Sequence, residues 1–310
     1  MAFNLYFAGS QCKEADELMV KLNCNRLFSQ ENDRKNISNW QNYKHSRRTQ
    51  YKGNIFIDSG AFSVHTKGIE LDVDEYIEYI NSIDKDIHIF AQVDKIPGEF
   101  GKQKTKEQIL EAPALSWKNY LYMKDRVNSR DKLLPIFHQG EDFKWLHNIL
   151  EYTHDDGSHI SYIGISPAND KSAKEKEIFI HKCFNIIKKS SNPNVKTHAF
   201  GMTSRWILEQ YPFTSADSTS WLMTGANGSI MTPYGIILVS QNKLNDPSHI
   251  NNMPTKAREN VEQFVEKLGY QLEEAMIDYK IRMCINISYL KQWADNYEYK
   301  PIKTFKKSLF

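Results

Sequence analysis

Short apolar runs alternating with stretches of helical spacing constrain this chain more than any other feature. The runs occupy residues 3–9 (FNLYFAG), 54–58 (NIFID), 88–94 (HIFAQVD), 133–140 (LLPIFHQG), 160–166 (ISYIGIS), 195–201 (VKTHAFG) and 213–217 (FTSAD). Each reads as a buried strand. Between them, helices are predicted over 13–27, 72–83, 106–124, 143–152, 174–189 and 204–210. In the first, Ala15, Leu18, Met19 and Leu22 share a face, and in the second Val73, Tyr76, Ile77 and Ile80 do. Repeated strand–helix alternation calls for parallel strands joined by helical crossovers. About 250 residues of such units fit a closed (β/α)8 TIM barrel. An open doubly wound sheet is the alternative, but the chain has no GxGxxG or GxxxxGK[ST] phosphate loop. The expected division is a barrel over 1–245 and a C-terminal extension over 246–310. The extension holds two predicted helices, 255–269 and 271–293, and a basic tail with Lys300, Lys303, Lys306 and Lys307.

The second constraint is what stands at the ends of the runs. In NIFIDSGAFS a buried strand stops at Asp58 and passes into a small-residue turn. Such a carboxylate is poorly solvated, which suits an acid/base group, although an Asp here can also cap the turn or the next helix. Other runs end in the same manner, at Asp94, Gln139, Gly164, Gly201 and Asp217. In a barrel these ends converge on one mouth, where active sites are built. Three carboxylates, an amide, and two glycines where a flat ligand could approach backbone read together as a site. His138 and His198 lie near the same mouth, able to move a proton, bind phosphate or hold structure by hydrogen bonding. The segment THDDGSH, with His154, Asp155, Asp156 and His159, suits a metal less well than an exposed turn.

Composition limits the partners. The formal net charge is +2, so any nucleic-acid contact must come from a local patch. Residues 36–52 supply one candidate, interleaving Trp40, Tyr43 and Tyr51 with Lys44, His45, Arg47, Arg48 and Lys52. Aromatics beside cations suit stacked bases and phosphates; a solvated loop with a few tucked-in rings is the alternative. Cys12, Cys24, Cys183 and Cys284 form no CxxC pair, which points to reduced thiols in a cytoplasmic protein and to no metal site. No signal peptide and no apolar run long enough for a membrane span are recognised.

The strand-end residues, with their neighbours, resemble the tRNA-guanine transglycosylase superfamily from about residue 3 to 238. DSGAF, from Asp58 to Phe62, resembles the family's DSGGF, with Ala61 in place of a glycine. Asp94 stands where the family has a second pocket aspartate. HQG, from His138 to Gly140, matches its glutamine–glycine pair, and Gly164 falls at its pocket glycine. HAFGM, from His198 to Met202, resembles its LMGV strand end. Asp217, in SADS, sits at the catalytic aspartate, and NGSIMT, from Asn227 to Thr232, is similar to NGTLFT. The family's zinc cluster of three cysteines and a histidine is absent, and Ser218 to Trp221 replace the usual PTR. In this the chain is most similar to the zinc-less phage and bacterial paralogues that place 7-deazaguanine bases into DNA (DpdA-type).

The resemblance implies base exchange at a nucleoside. Asp217 would attack C1′ and form a covalent intermediate, as in retaining glycosidases, and Asp58 would protonate the departing guanine. Phe62 would stack on the incoming base, Asp94 would accept from its N1–H and 2-amino group, and Gln139 with the Gly164 N–H would meet O6. Gly201 and His198 complete the implied substrate pocket. The target nucleotide would be flipped from its strand, with Arg47, Arg48 and Lys52 on phosphates. The expected partners are DNA and a free, preQ0-like 7-deazaguanine; no cofactor is needed, since one glycosidic bond replaces another. A tRNA enzyme, a non-catalytic nucleic-acid-binding paralogue, a hydrolytic nucleosidase and a homodimer all remain open at this point.

Overall fold

The computed structural model describes residues 3–9, 12–68, 70–98, 102–202 and 204–301, with the side chains of Phe62 and Val64 outside that description. In chain order its elements are β1 (Asn4–Ala8), α1 (Lys13–Lys21), β2 (Asn25–Ser29), α2 (Gln30–His45), β3 (Ile55–Asp58), α3 (Ala61–Thr66), α4 (Val73–Ile83), β4 (Ile89–Ala91) and α5 (Lys106–Lys124). They continue as β5 (Leu133–Leu134), β6 (Ile136–His138), α6 (Lys144–Glu151), β7 (Tyr162–Ser166), α7 (Ala173–Lys189), β8 (Lys196–Ala199), α8 (Arg205–Gln210), β9 (Ser215–Ser218) and α9 (Ser220–Ala226). A hairpin, β10 (Ser229–Thr232) with β11 (Gly235–Leu238), precedes α10 (Thr255–Lys267), α11 (Leu272–Ile277) and α12 (Tyr279–Asp295).

The main sheet runs in the order β5-β4-β3-β2-β1-β9-β8-β7-β6, and every pairing in it is parallel. Its two end strands, β5 and β6, are consecutive pieces of one extended segment, 133–138, interrupted only at Pro135. That residue has no N–H to give a ladder, yet its carbonyl accepts from Gly164 N at 2.8 Å, while Leu134 O accepts from Gln92 N at 3.0 Å on the other side. One segment thus holds both sheet ends, and the ring closes as a (β/α)8 barrel. Strand alternation sorts the side chains. Tyr6, Phe56, Ile89, Leu134, Ile136 and Tyr162 fill the barrel, while Phe7, Ile57, Phe90, Phe137 and Ile163 face the surrounding helices.

Three expectations about elements change. The helix expected over 13–27 stops at Lys21, because Asn23 takes a left-handed φ of +52° and ends it. The residues after it form β2, whose Arg26 disguises a strand. Arg26 is fully buried outside the barrel, donating to Gly9 O at 2.6 Å and lying over Trp40 at 4.7 Å. The polar segment 36–52 is mostly helix, and its aromatics serve packing. Trp40 and Tyr51 are buried, and the Tyr51 hydroxyl donates to Cys24 O at 2.6 Å. The last long helix is broken at Asp278, whose carboxylate caps α12 by accepting from Lys280 N at 2.8 Å.

The division expected near residue 245 does not mark a break in packing. The hairpin, α10 and α11 enclose a small core of their own around Ile230, Ile237, Val261, Val265 and Leu272. In contrast, Met283, Ile287 and Leu290 of α12 belong to the main core, and α12 lies against β1, α1 and α9. Asn286 in α12 pins this contact, accepting from Met231 N at 2.6 Å and donating to Trp221 O at 3.0 Å. Among the described residues no helix is long and apolar enough to cross a membrane. The tail lysines Lys303, Lys306 and Lys307 lie outside the described residues.

The α9–α12 contact depends on Gly225: a Cβ there would stand 3.0 Å from Met283 N and 2.8 Å from its Cγ. Gly225→Ala is therefore expected to lower stability by about 1–3 kcal/mol, read as a lower urea midpoint at unchanged m-value.

Candidate active site

All eight barrel positions deliver their C-terminal ends to one mouth, and strand parity decides which side chains enter it. On β3, Phe56 points inward, so Asp58 two residues later does too. On β9 the same step takes Ser215 to Asp217. On β8, His198 is inward, and on β6, Ile136 is followed at the mouth by His138.

Asp217 is the most enclosed of the carboxylates, 8% exposed. Its Oδ1 accepts from Gly201 N at 2.8 Å and meets His198 Nε2 at 3.2 Å. Gly201 supplies that N–H from a left-handed turn, φ +58°, which a glycine adopts without strain. The other nitrogen of His198, Nδ1, lies 2.6 Å from Ser215 Oγ, and Ser215 Oγ lies 2.6 Å from the Tyr162 hydroxyl. His198 is completely buried within a box of rings: Phe200 at 4.5 Å, Phe56 at 4.7 Å and Tyr6 at 6.0 Å, all edge-on. That burial pushes its pKa below the ordinary histidine value, against the pull of Asp217, so the ring is neutral near pH 7.

Asp58 also accepts a backbone N–H, but it is held differently. Burial pushes its carboxyl up to about 7; a hydrogen bond from Gly60 N at 3.1 Å resists, and the nearby Asp94 and Asp217 charges add to the rise. Gly60, at φ +81°, makes the turn that lets this N–H reach back. Asp94 is engaged on both oxygens, by Gln92 Nε2 at 2.7 Å and by His138 Nε2 at 3.1 Å. His138 Nδ1 in turn meets Glu141 Oε1 at 3.1 Å. Burial alone would lower the pKa of His138, but Asp94 and Glu141 together hold it up at about 10. His138 is therefore an imidazolium clamped between two carboxylates.

The structure brings together Asp58, Asp94, Gly201, Asp217 and His198, and reassigns other expected site residues. Gln139 follows His138 by one residue, and parity turns it away. Its Oε1 accepts from Ala168 N at 3.1 Å and its Nε2 donates to Glu175 O at 3.3 Å, which ties down the β7–α7 loop. The N–H of Gly164 is spent on Pro135 O inside the sheet, so it is not offered to a base. The space above Gly164 is filled: a Cβ would lie 2.5 Å from Phe200 and 2.8 Å from Leu134. Phe62 belongs to α3, but its side chain, on which stacking rests, lies outside the described residues. Arg47, Arg48 and Lys52 are exposed on the α2–β3 connection, at the end of the barrel opposite the mouth, and so cannot line it. The THDDGSH segment is a turn between α6 and β7, with Asp156 paired to Arg130 at 2.8 Å. Among the described residues no group of three or more His, Cys, Asp or Glu side chains could hold a metal ion.

Sequence reasoning missed Ser215, Tyr162 and Glu141. A signal for the first two was present: with His198 and Asp217 inward, every second residue on the neighbouring strands is inward as well. Beside Asp94, a cavity of about 670 Å³ opens between the α3–α4 and β4–α5 connections, lined by Ala61, His65, Lys67, Leu71, Lys95 and Asn119 among others. The chain matches no protein-family model and no curated protein.

The His138 clamp gives a pH signature. Its pKa is raised in the folded state, so its stabilisation is fully present below about pH 6.5, the unfolded value, and is lost as pH rises towards 10. About a third of the ring reaches solvent, which weakens the effect. Wild type is expected to lose thermal stability between pH 7 and 10, and His138→Gln to flatten that loss, as followed by Tm in buffers of equal ionic strength.

Proposed function

We propose that this protein is a guanine transglycosylase acting on DNA, exchanging a guanine for a 7-deazaguanine base through a covalent aspartyl intermediate. The observation that carries this reading is a pair of carboxylates held by different partners at one barrel mouth. Asp217 is hydrogen-bonded by a backbone N–H and faced by a neutral histidine, while Asp58 has its pKa pushed up to about 7. Two carboxyls set apart in this way divide the labour of nucleophile and proton carrier. The order of strand-end motifs that resembles the transglycosylases supports the same division.

In the proposed reaction both hydrogen-bond donors meet Oδ1 of Asp217, which leaves Oδ2 for attack on C1′. The bond from C1′ to the guanine nitrogen breaks as the C1′–Oδ2 bond forms, and Asp58 gives its proton to the departing base. The incoming 7-deazaguanine then attacks the same carbon, its ring proton returns to Asp58, and Asp217 leaves as a carboxylate. Asp94, held by Gln92 and His138, accepts from the base's N1–H and 2-amino group through its remaining lone pairs, a donor pair that adenine lacks. Lys67, Lys95, Lys104 and Lys171, on the mouth-side loops, take the phosphate role that the sequence had suggested for Arg47, Arg48 and Lys52.

Labelled guanine or 7-deazaguanine incubated with the protein and either duplex DNA or tRNA tests the proposal. Label is expected in DNA; label in tRNA alone would transfer the activity to RNA, and abasic product without incorporation would make the enzyme a hydrolase. Asp217→Asn is expected to abolish the covalent adduct and reduce exchange at least about 10³-fold. Adduct formation requires protonated Asp58 and should fall as pH rises through about 7, whereas adduct resolution requires its carboxylate and should fall below that pH. Single-turnover rates of the two halves, measured from pH 5.5 to 8.5, check both signs.

A further inference from the structure

Behind Asp217 the hydrogen bonds do not stop at His198 but continue, side chain to side chain, across three adjacent strands. Tyr162 on β7, His198 on β8 and Ser215 on β9 all face into the barrel, and all three are buried. The contacts are Tyr162 Oη to Ser215 Oγ at 2.6 Å, Ser215 Oγ to His198 Nδ1 at 2.6 Å, and His198 Nε2 to Asp217 Oδ1 at 3.2 Å. The direct role expected for His198, contact with the base, does not need the two groups behind it. A histidine that only filled space would not need them either.

The proton positions follow from the ends of the chain. Asp217 Oδ1 already accepts from Gly201 N, so it meets His198 as an acceptor too and His198 Nε2 must carry the proton. A neutral ring then has an unprotonated Nδ1, which must accept from Ser215. The Ser215 oxygen, having given its proton, accepts from Tyr162. The opposite direction would set the Nε2 lone pair against the Asp217 carboxylate. Phe56, Phe200 and Tyr6 pack edge-on around the imidazole, so the ring has no room to turn over and offer its other nitrogen.

We propose that Tyr162 and Ser215 are positioning residues that lock His198 as an Nε2–H donor to Asp217, and that this lock sets how fast the covalent intermediate resolves. The second half of the statement rests on the transglycosylase reading; the first does not. The physical reason is the charge on Asp217. It is a full carboxylate before attack and after departure, but an ester, and a weaker acceptor, in between. Donors fixed at Oδ1 therefore stabilise the free carboxylate more than the ester. They make Asp217 a slightly poorer attacker and a better leaving group. In the resolving step the C1′–Oδ2 bond breaks, its electron pair returns to the carboxylate, and the charge spreads to an Oδ1 already met by two N–H groups. The lock thus acts against a long-lived, dead-end adduct.

Ser215→Ala and Tyr162→Phe test this, each removing one hydroxyl and little volume. The first measurement is the ¹⁵N spectrum of histidine-labelled protein without substrate. Wild type is expected to show His198 as the Nε2–H tautomer, and Ser215→Ala to show a mixture. The second is single-turnover kinetics on labelled nucleic acid. In Ser215→Ala, adduct formation should be unchanged or faster and adduct decay about tenfold slower, the size of one charge-assisted hydrogen bond, so that the covalent fraction at steady state rises. Tyr162→Phe should move both in the same directions by less. A merely structural defect would slow formation and decay together, and that result, or an unchanged tautomer in Ser215→Ala, would overturn the lock. If wild type forms no adduct on any nucleic acid, the transglycosylase reading and the kinetic half of the proposal fall together, while the spectrum still decides whether the hydroxyls fix the tautomer.

Discussion

Closure of the sheet on a single segment is the constraint on which everything at the mouth depends. A parallel sheet left open would expose two strand edges and spread its strand ends along a line. Here residues 133–138 carry both edges. Leu134 and Pro135 present carbonyls to opposite neighbours, so β4 and β7 are bound to the same stretch of chain. The proline that interrupts the ladder also separates its two halves. Because the ring is closed, Asp58 on β3 and Asp217 on β9 face each other across a common opening, although 159 positions separate them in sequence. Their mutual charge is felt in the elevated pKa of Asp58.

Within that opening, environment rather than residue type distinguishes the acids. Asp58, Asp94 and Asp217 are the same side chain. One is raised by burial and by the other two. One is clamped by an amide and an imidazolium. One is fed by a backbone N–H and a neutral imidazole. The two histidines diverge in the same way. His138 sits between carboxylates and stays charged, while His198 sits among rings and stays neutral. A barrel mouth holding several like charges is unstable unless protons and cations are distributed among them, and His138 and the proton on Asp58 achieve that.

Much of the fold was legible because buried parallel strands write themselves as apolar runs, as at 54–58 and 160–166. The strand β2 was not, since Arg26 breaks its run. A buried cation stacked on Trp40 has no signature in a hydrophobicity pattern. The site was half legible. Carboxylates at strand ends are visible in sequence, but the direction of a side chain depends on register, and one residue is the difference between His138 in the mouth and Gln139 behind it. Gly164 was singled out as a backbone donor, yet sequence could not show that its N–H was already committed to Pro135. The aromatics of 36–52 misled for a related reason: composition cannot distinguish rings that stack on a ligand from rings such as Trp40 and Tyr51 that fill a core.

The placement of α12 has a consequence for how this chain comes into being. β1 is made well before two of its neighbours in the finished molecule, β9 and α12. A nascent chain emerging from the ribosome therefore holds an incomplete ring until β9 is made, with β1 lacking a partner on one side, and its α1 face stays uncovered until α12 follows. Contacts of such long sequence separation form slowly. Until β9 arrives, that unpaired edge is the place where a growing chain is open to chaperones, to proteases or to another copy of itself.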